Sequence, residues 1–160
     1  MSKLDDALKK FVNDALEANY GVRDVEYMHH IPEEIQLEFV KFSYFKKIRS
    51  PTEKVKLAAI RHEPWDIEYI ENPSEELQLE AVGKNIFSIR YIKNPTEKVQ
   101  LKAMEKCVEI IADIRNPTIT VQKEAIYRSG FHPSIILLCP NWPDLREWIE
   151  DNMTIKDIIE

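Results

Sequence analysis

Glycine is scarce in this chain, 3 residues in 160, and its scarcity argues against a hairpin-rich β protein, whose tight turns depend on it. Cysteine is scarcer still, at 2. Cys107 and Cys139 show neither a CxxC motif nor the spacing of a disulfide framework, so both read as packing residues of a reducing compartment. No apolar run approaches the ~20 residues that a membrane span needs, and Met1-Ser2-Lys3-Leu4-Asp5-Asp6 is too polar to open a secretory signal. A soluble, cytoplasmic protein is expected. Excess positive charge is also missing: 22 Lys and Arg stand against 28 Asp and Glu, a formal net charge of −6. This disfavours a nucleic-acid partner, because phosphate binding draws on clustered cations.

Signatures of catalysis are absent as well. There is no Gly-rich phosphate loop, no GxSxG elbow and no Cys/His dyad spacing. His29 and His30 are adjacent and point to different sides of any regular element, with no HxxxH to bring a second ligand beside them. His62 and His132 read as surface or hydrogen-bonded structural residues. No catalytic residue, metal ligand or cofactor is assigned, and the chain reads as non-enzymatic.

What the sequence does have is self-similarity. Ser50-Pro51-Thr52-Glu53-Lys54-Val55, Asn72-Pro73-Ser74-Glu75-Glu76-Leu77, Asn94-Pro95-Thr96-Glu97-Lys98-Val99 and Asn116-Pro117-Thr118-Ile119-Thr120-Val121 repeat one phrase at a step of 22 residues. A fixed short period marks a repeat architecture, in which each unit buries its apolar face only against its neighbours. The pattern reaches back to Asp24-Val25-Glu26-Tyr27-Met28 and to Glu33-Glu34-Ile35-Gln36, where the connection before Ile48 is two residues shorter than its counterpart.

Each phrase reads as a helix start. Asn72 or Asn94 is the expected N-cap, Pro73 or Pro95 the first helical residue, and Glu75 or Glu97 the completion of a capping box. Ile119 replaces that glutamate, so its helix is expected to be capped more weakly. The first helix then carries apolar columns: Val55, Leu77, Val99, Val121; Leu57, Leu79, Leu101; Ala59, Ala81, Ala103, Ala125; and Ile60, Val82, Met104, Ile126. The alanines mark where successive helices approach most closely. A second helix carries Phe45, Ile67, Ile89, Ile111 and, three later, Ile48, Ile70, Ile92, Ile114, Ile136. With so few residues for two helices, some second elements are expected to be 3₁₀. A glutamine column, Gln36, Gln78, Gln100 and Gln122 with Lys56 in the remaining repeat, reads as an inter-repeat hydrogen-bond ladder in preference to a binding ridge.

The expected architecture is all-α: an α-solenoid of short two-helix repeats in a single domain over 1–160. It comprises a cap over 1–21 built on the stripe Leu4, Ala7, Leu8, Phe11, repeats over about 22–138, and a C-terminal cap over 139–160. Ser129-Gly130 ends the last regular helix, and Ile135-Ile136-Leu137-Leu138 reads as a buried final element. Leu145, Trp148 and Ile149 line the helix that follows, and Thr154 to Ile159 a last turn.

For function, the second helices are the most suggestive. Tyr27, Tyr69 and Tyr91 share a column with Lys47 and Asp113, a position that tolerates charge. Trp65 and Phe87 share the column four places earlier, with Arg90 and Lys93 beside them. Aromatic and arginine residues anchor protein interfaces, although Trp65 and Phe87 suit an inter-helix core equally well. The candidate partner-binding residues are therefore Tyr27, Trp65, Tyr69, Phe87, Arg90 and Tyr91.

The phrase Asn-Pro-Ser/Thr-Glu-x-Val/Leu-Gln-Leu-x-Ala-Val followed by Ile-x-Tyr-Ile resembles the short tandem helical repeat of uncharacterised bacterial and bacteriophage proteins. More distantly it is similar to HEAT-like and leucine-rich-variant solenoids. The resemblance covers about Val25 to Ile136 and supplies no catalytic residues. It implies binding of another macromolecule, with a phage-encoded modulator of host machinery, acting in the host cytoplasm, as one setting. Another protein is the expected partner. The alternatives are an acidic decoy that imitates nucleic acid, suggested by the net charge and the spaced glutamates, and a nucleic-acid-binding solenoid using Lys46, Lys47, Arg49, Arg90 and Lys93.

Overall fold

The computed structural model describes Lys10, residues 32–41 and residues 43–153, apart from the side chains at 142 and 143. The expected N-terminal helix, Tyr27, the His29-His30 pair and the turn at 154–159 lie outside these residues. Every regular element among the described residues is helical. The chain forms two compact units that meet in sequence between Asn72 and Pro73, a repeat boundary.

The first unit holds two repeats. Helix α1 (Glu33–Lys41) is followed by a short 3₁₀ helix η1 (Phe45–Lys47), and α2 (Glu53–His62) by η2 (Pro64–Tyr69). The second unit continues with α3 (Glu75–Lys84), η3 (Ile86–Tyr91), α4 (Glu97–Met104), η4 (Val108–Asp113) and α5 (Ile119–Arg128). It ends with α6 (Pro133–Leu137) and α7 (Trp142–Asn152).

Among the described residues η1 to η4 are 3₁₀, whereas α6, which carries the last member of the column, Ile136, is α-helical and leaves it half-buried; for the four the sequence explains why. A 3₁₀ helix has three residues per turn, so residues three apart eclipse one another. Ile67 and Ile70, Ile89 and Ile92, and Ile111 and Ile114 keep that spacing, and all six are buried. In each pair the second isoleucine has already turned to extended backbone and returns its N–H to the carbonyl of the first at 3.2 Å. The first helices bury their valine or leucine, alanine and aliphatic columns, the four alanines being wholly inaccessible, but the column Leu57, Leu79, Leu101 is only half-buried.

The helix starts differ from the capping-box expectation. Asn72 and Asn116 adopt left-handed backbone, with φ of 50° and 53°, and act as turn residues. The N-caps are Thr52, Ser74, Thr96 and Thr118, two residues further on. Their hydroxyl oxygens accept from the N–H groups of Val55, Leu77, Val99 and Val121 at 3.3–3.4 Å. The glutamate becomes the first helical residue, and it reaches onward to the next repeat. Thr52 Oγ1 donates to Glu33 at 2.6 Å, Thr96 Oγ1 to Glu75 at 2.7 Å and Thr118 Oγ1 to Glu97 at 2.7 Å. Lys54 and Lys98 pair with Glu33 and Glu75 at 2.7 and 3.3 Å. These bonds hold both carboxyls below the usual carboxylate range: Glu33 chiefly through Lys54 and then Thr52, Glu75 chiefly through Thr96 and then Lys98. The weaker cap expected at Ile119 is not found, because Thr118 caps that helix with the same geometry. What Ile119 removes is the carboxylate that would reach forward.

The glutamine column forms the expected ladder within the second unit. Gln78, Gln100 and Gln122 donate from Nε2 to the carbonyls of Pro73, Pro95 and Pro117 at 2.8–2.9 Å. Oε1 of Gln78 and Gln100 accepts from the N–H of Thr96 and Thr118 at 3.4 and 3.1 Å. Gln122 instead meets Asn141, accepting its N–H at 3.1 Å and donating to its Oδ1 at 2.8 Å. All three glutamines are buried.

After α5 the register loosens. Ser129 and Gly130 end the helix as expected, with Gly130 at φ 64°. The run Ile135 to Leu138 is not a buried block: Ile135 is buried, but Leu137 is 84% exposed and Leu138 is exposed as well. Helix α6 is only five residues long and amphipathic, so Ile135 and Cys139, four apart, take its inner side. Helix α7 buries Leu145 and Ile149 and half-buries Trp148, as its spacing suggests.

Gln100→Ala removes one rung and leaves the Pro95 carbonyl and the Thr118 N–H, both at a repeat junction, without their partner. The expected loss is roughly 2–3 kcal/mol, measured by denaturant unfolding, against a near-neutral result for an exposed position such as Lys102→Ala.

Candidate interaction surface

In the first unit, η2 places Trp65 and Tyr69 four residues apart on a frame fixed by the buried Ile67 and Ile70. Trp65 is half-buried, whereas Tyr69, the last residue of the 3₁₀ helix, is 51% exposed. Beside it, η1 and the following loop contribute Lys46, Lys47, Ile48 and Arg49 to an open cleft of about 270 Å³ whose remaining wall is Tyr69.

In the second unit, η3 presents Phe87 (41% exposed) and Tyr91 (38% exposed) with Arg90 between them. Asn85 caps this 3₁₀ helix by accepting the Phe87 N–H at 3.0 Å, which sets where its first turn begins. Arg90 is held on two sides. Its guanidinium carbon lies 4.9 Å from the centre of the Phe87 ring, and its Nη2 donates to Asp113 of η4 at 2.7 Å. The Asp113 bond raises the guanidinium further above its already high range. Arg90 is thus a fixed cation lying over an aromatic ring, in the geometry of a cation–π contact.

Five of the six sequence-derived candidates therefore fall on two 3₁₀ helices, with Trp65 less accessible than the rest, and Tyr27 lies outside the described residues. Lys47 and Asp113, the charged members of the tyrosine column, are half-buried.

Other exposed apolar side chains were not singled out by the sequence. Tyr127, 67% exposed, meets Phe131 edge to face at 6.5 Å, and Phe131 in turn stacks on Trp148 at 6.1 Å. Lys123 lies 5.2 Å from the centre of the Trp148 ring. Leu137, Leu138 and Ile119 are also exposed. The 22-residue register carried the signal. Tyr127 falls in the column of Arg61, Gly83 and Glu105, and Leu137 in that of Arg49, Glu71, Lys93 and Arg115, columns occupied by surface residues elsewhere.

The other chemistry-bearing residues have structural surroundings. His62 is exposed at the end of α2, and His132 caps α6, its Nδ1 accepting the Ser134 N–H at 3.3 Å. Cys107 and Cys139 are free thiols. Cys139 donates to the Ile135 carbonyl, and burial pushes its thiol up to about 11. Among the described residues there is no group of three His, Cys, Asp or Glu placed to hold a metal, and no helix long and apolar enough to cross a membrane.

One ionisable group stands out in the core. Asp66 of η2 is 7% exposed, and its Oδ2 has no hydrogen-bond partner among the described residues. Burial first, then the charge of Glu63, pushes its carboxyl up to about 6, while His62 and Lys46 pull it the other way. With the folded value above the unfolded one, the folded state binds more protons across that window. Stability therefore falls as pH rises from about 4 through about 6 and stays reduced above. Asp66→Asn is expected to gain on the order of 1–3 kcal/mol at about pH 7 and to flatten that decline. Denaturant midpoints recorded across this pH range check it.

No protein-family model, curated protein or solved structure matches the chain. The functional reading accordingly rests on the chain's own repeats and on the two 3₁₀ surfaces.

Proposed function

We propose that the chain is a non-enzymatic protein-binding module, an α-solenoid of short two-helix repeats capped at both ends, that engages another protein through the second elements of its repeats. The observation that carries this reading is the exposure of Tyr69 on η2 in the first unit and of Phe87 and Tyr91 on η3 in the second, where Arg90 is already fixed by Phe87 and Asp113. Rigid aromatic side chains and arginine lose little entropy on binding, which is why interfaces favour them. The bacterial and bacteriophage setting that the repeat phrase suggests, with a modulator of host machinery as its role, belongs to the same proposal.

The acidic-decoy alternative loses support from the repeat glutamates. Glu33, Glu75 and Glu97 are engaged by threonine hydroxyls, and the first two also by lysines, so they do not stand free as a row of phosphate substitutes.

Two measurements test the proposal. Small-angle scattering should give an elongated particle; a compact sphere would overturn the solenoid. Tyr69→Ala combined with Tyr91→Ala should keep the helical signal and melting behaviour but lose, by at least about tenfold, capture of partners cross-linked in a native lysate. A folded double variant that retains every partner would remove the second elements as the binding surface.

A further inference from the structure

The cleft beside Tyr69 has a chemistry unlike the rest of the molecule. In a chain with a net charge of −6, residues 39–52 carry four Lys and Arg and no Asp or Glu. Three of these cations, Lys46, Lys47 and Arg49, line one open cleft of about 270 Å³, with Ile48 and the Tyr69 ring completing it and no acidic side chain in its wall. Elsewhere many cations are spent internally: Lys41 on Glu38, Lys54 on Glu33, Lys56 on Glu53 and Arg90 on Asp113. Lys46, Lys47 and Arg49 have no such carboxylate within ion-pair distance among the described residues.

The local fold makes the opening. The 3₁₀ helix η1 spans three residues where η2 spans six, following the connection two residues shorter than its counterpart. The loop at Ile48 and Arg49 thus comes early, and Tyr69, at the end of η2, forms the facing wall.

Resting on the protein-binding reading above, we infer that the Lys46/Lys47/Arg49/Tyr69 cleft receives a short acidic segment of the partner protein, its carboxylates on the cations and a neighbouring apolar side chain on Tyr69 and Ile48. Three cations confined to one cleft suit two or three carboxylates. A long polyanion is a poorer fit, because outside residues 39–52 the chain carries 28 Asp and Glu against 18 Lys and Arg (22 less the four within that stretch). Unpaired cations on an otherwise acidic surface also steer an acidic segment to this place and orient it.

The test is calorimetric titration of the full chain with a synthetic peptide carrying a Glu-Glu-Glu run next to a leucine. Controls are the same peptide with glutamines and a single-stranded oligothymidylate. The glutamate peptide should bind, the glutamine peptide should be at least about tenfold weaker, and affinity should fall several-fold between about 50 and 300 mM salt. Lys46→Gln, Lys47→Gln and Arg49→Gln together, with folding checked by circular dichroism because Lys47 is half-buried in η1, should lower affinity for the glutamate peptide about tenfold or more. Each single variant should give part of that loss.

Equal binding by the triple variant, equal binding of both peptides, or no binding of the glutamate peptide would overturn the inference. Tighter binding of oligothymidylate than of the glutamate peptide would overturn it in favour of a nucleic acid. Failure here is separable from failure of the broader reading. If partner capture needs Tyr91 but ignores the three cations, only the cleft is wrong. If the glutamate peptide binds the cleft while Tyr91→Ala alone keeps every partner, the cleft stands and the extended surface does not.

Discussion

The buried glutamine amide is the constraint on which the repeat geometry turns. A side chain with one carbonyl and one amino group can satisfy an acceptor and a donor at once. Gln100 does so by donating to the Pro95 carbonyl in its own repeat and accepting the Thr118 N–H from the next. Both of those backbone groups sit where a helix is about to begin, and there the chain otherwise leaves polar atoms without helical partners. Burying them unpaired would cost more than a typical hydrogen bond contributes. The glutamine thus fixes where one repeat lies against the next, and the apolar columns fill the space it defines.

In the second unit the helix starts fit this constraint. Were Asn72 the N-cap, the Pro73 carbonyl would enter the first helical turn. With Ser74 as the cap and Asn72 turned into left-handed backbone, that carbonyl is left for Gln78. Glu75 is freed in the same step. Instead of folding back on its own helix, it reaches the hydroxyl of Thr96, which caps the next. One hydroxyl accepts a backbone N–H and donates to a carboxylate, so Thr52, Thr96 and Thr118 are each tied to the preceding first helix. The exposed ion pairs beside it add little by themselves.

Much of this was legible in the sequence. The helical class, three of the four first-helix columns and the glutamine ladder of the second unit followed from the 22-residue period, because a repeated environment selects repeated side chains; the column Leu57, Leu79, Leu101 and Ile136 are only half-buried, and the 3₁₀ form, expected of some second elements, extends to η1 to η4. The cap position was not legible, since Asn-Pro-Ser/Thr-Glu offers two competent caps, and Thr52 caps α2 in the same way although Lys56 stands in the glutamine column there. Leu137 and Leu138 were misread because an apolar run says nothing of which side faces inward in a five-residue helix. At the surface, Tyr69 and Tyr91 were recognisable from a column that elsewhere accepts charge. The cleft beside Tyr69 was not, because it arises from a shortened 3₁₀ helix and from the absence of carboxylates in space.

The rung from Gln100 to Thr118 spans eighteen residues and uses only groups found in the same places of the preceding repeat. A duplicated copy of one such stretch, inserted in phase, therefore brings its own donor and acceptor and finds matching ones on both sides. Adding or removing one such module in phase would leave the bonding of every remaining junction of this kind unchanged.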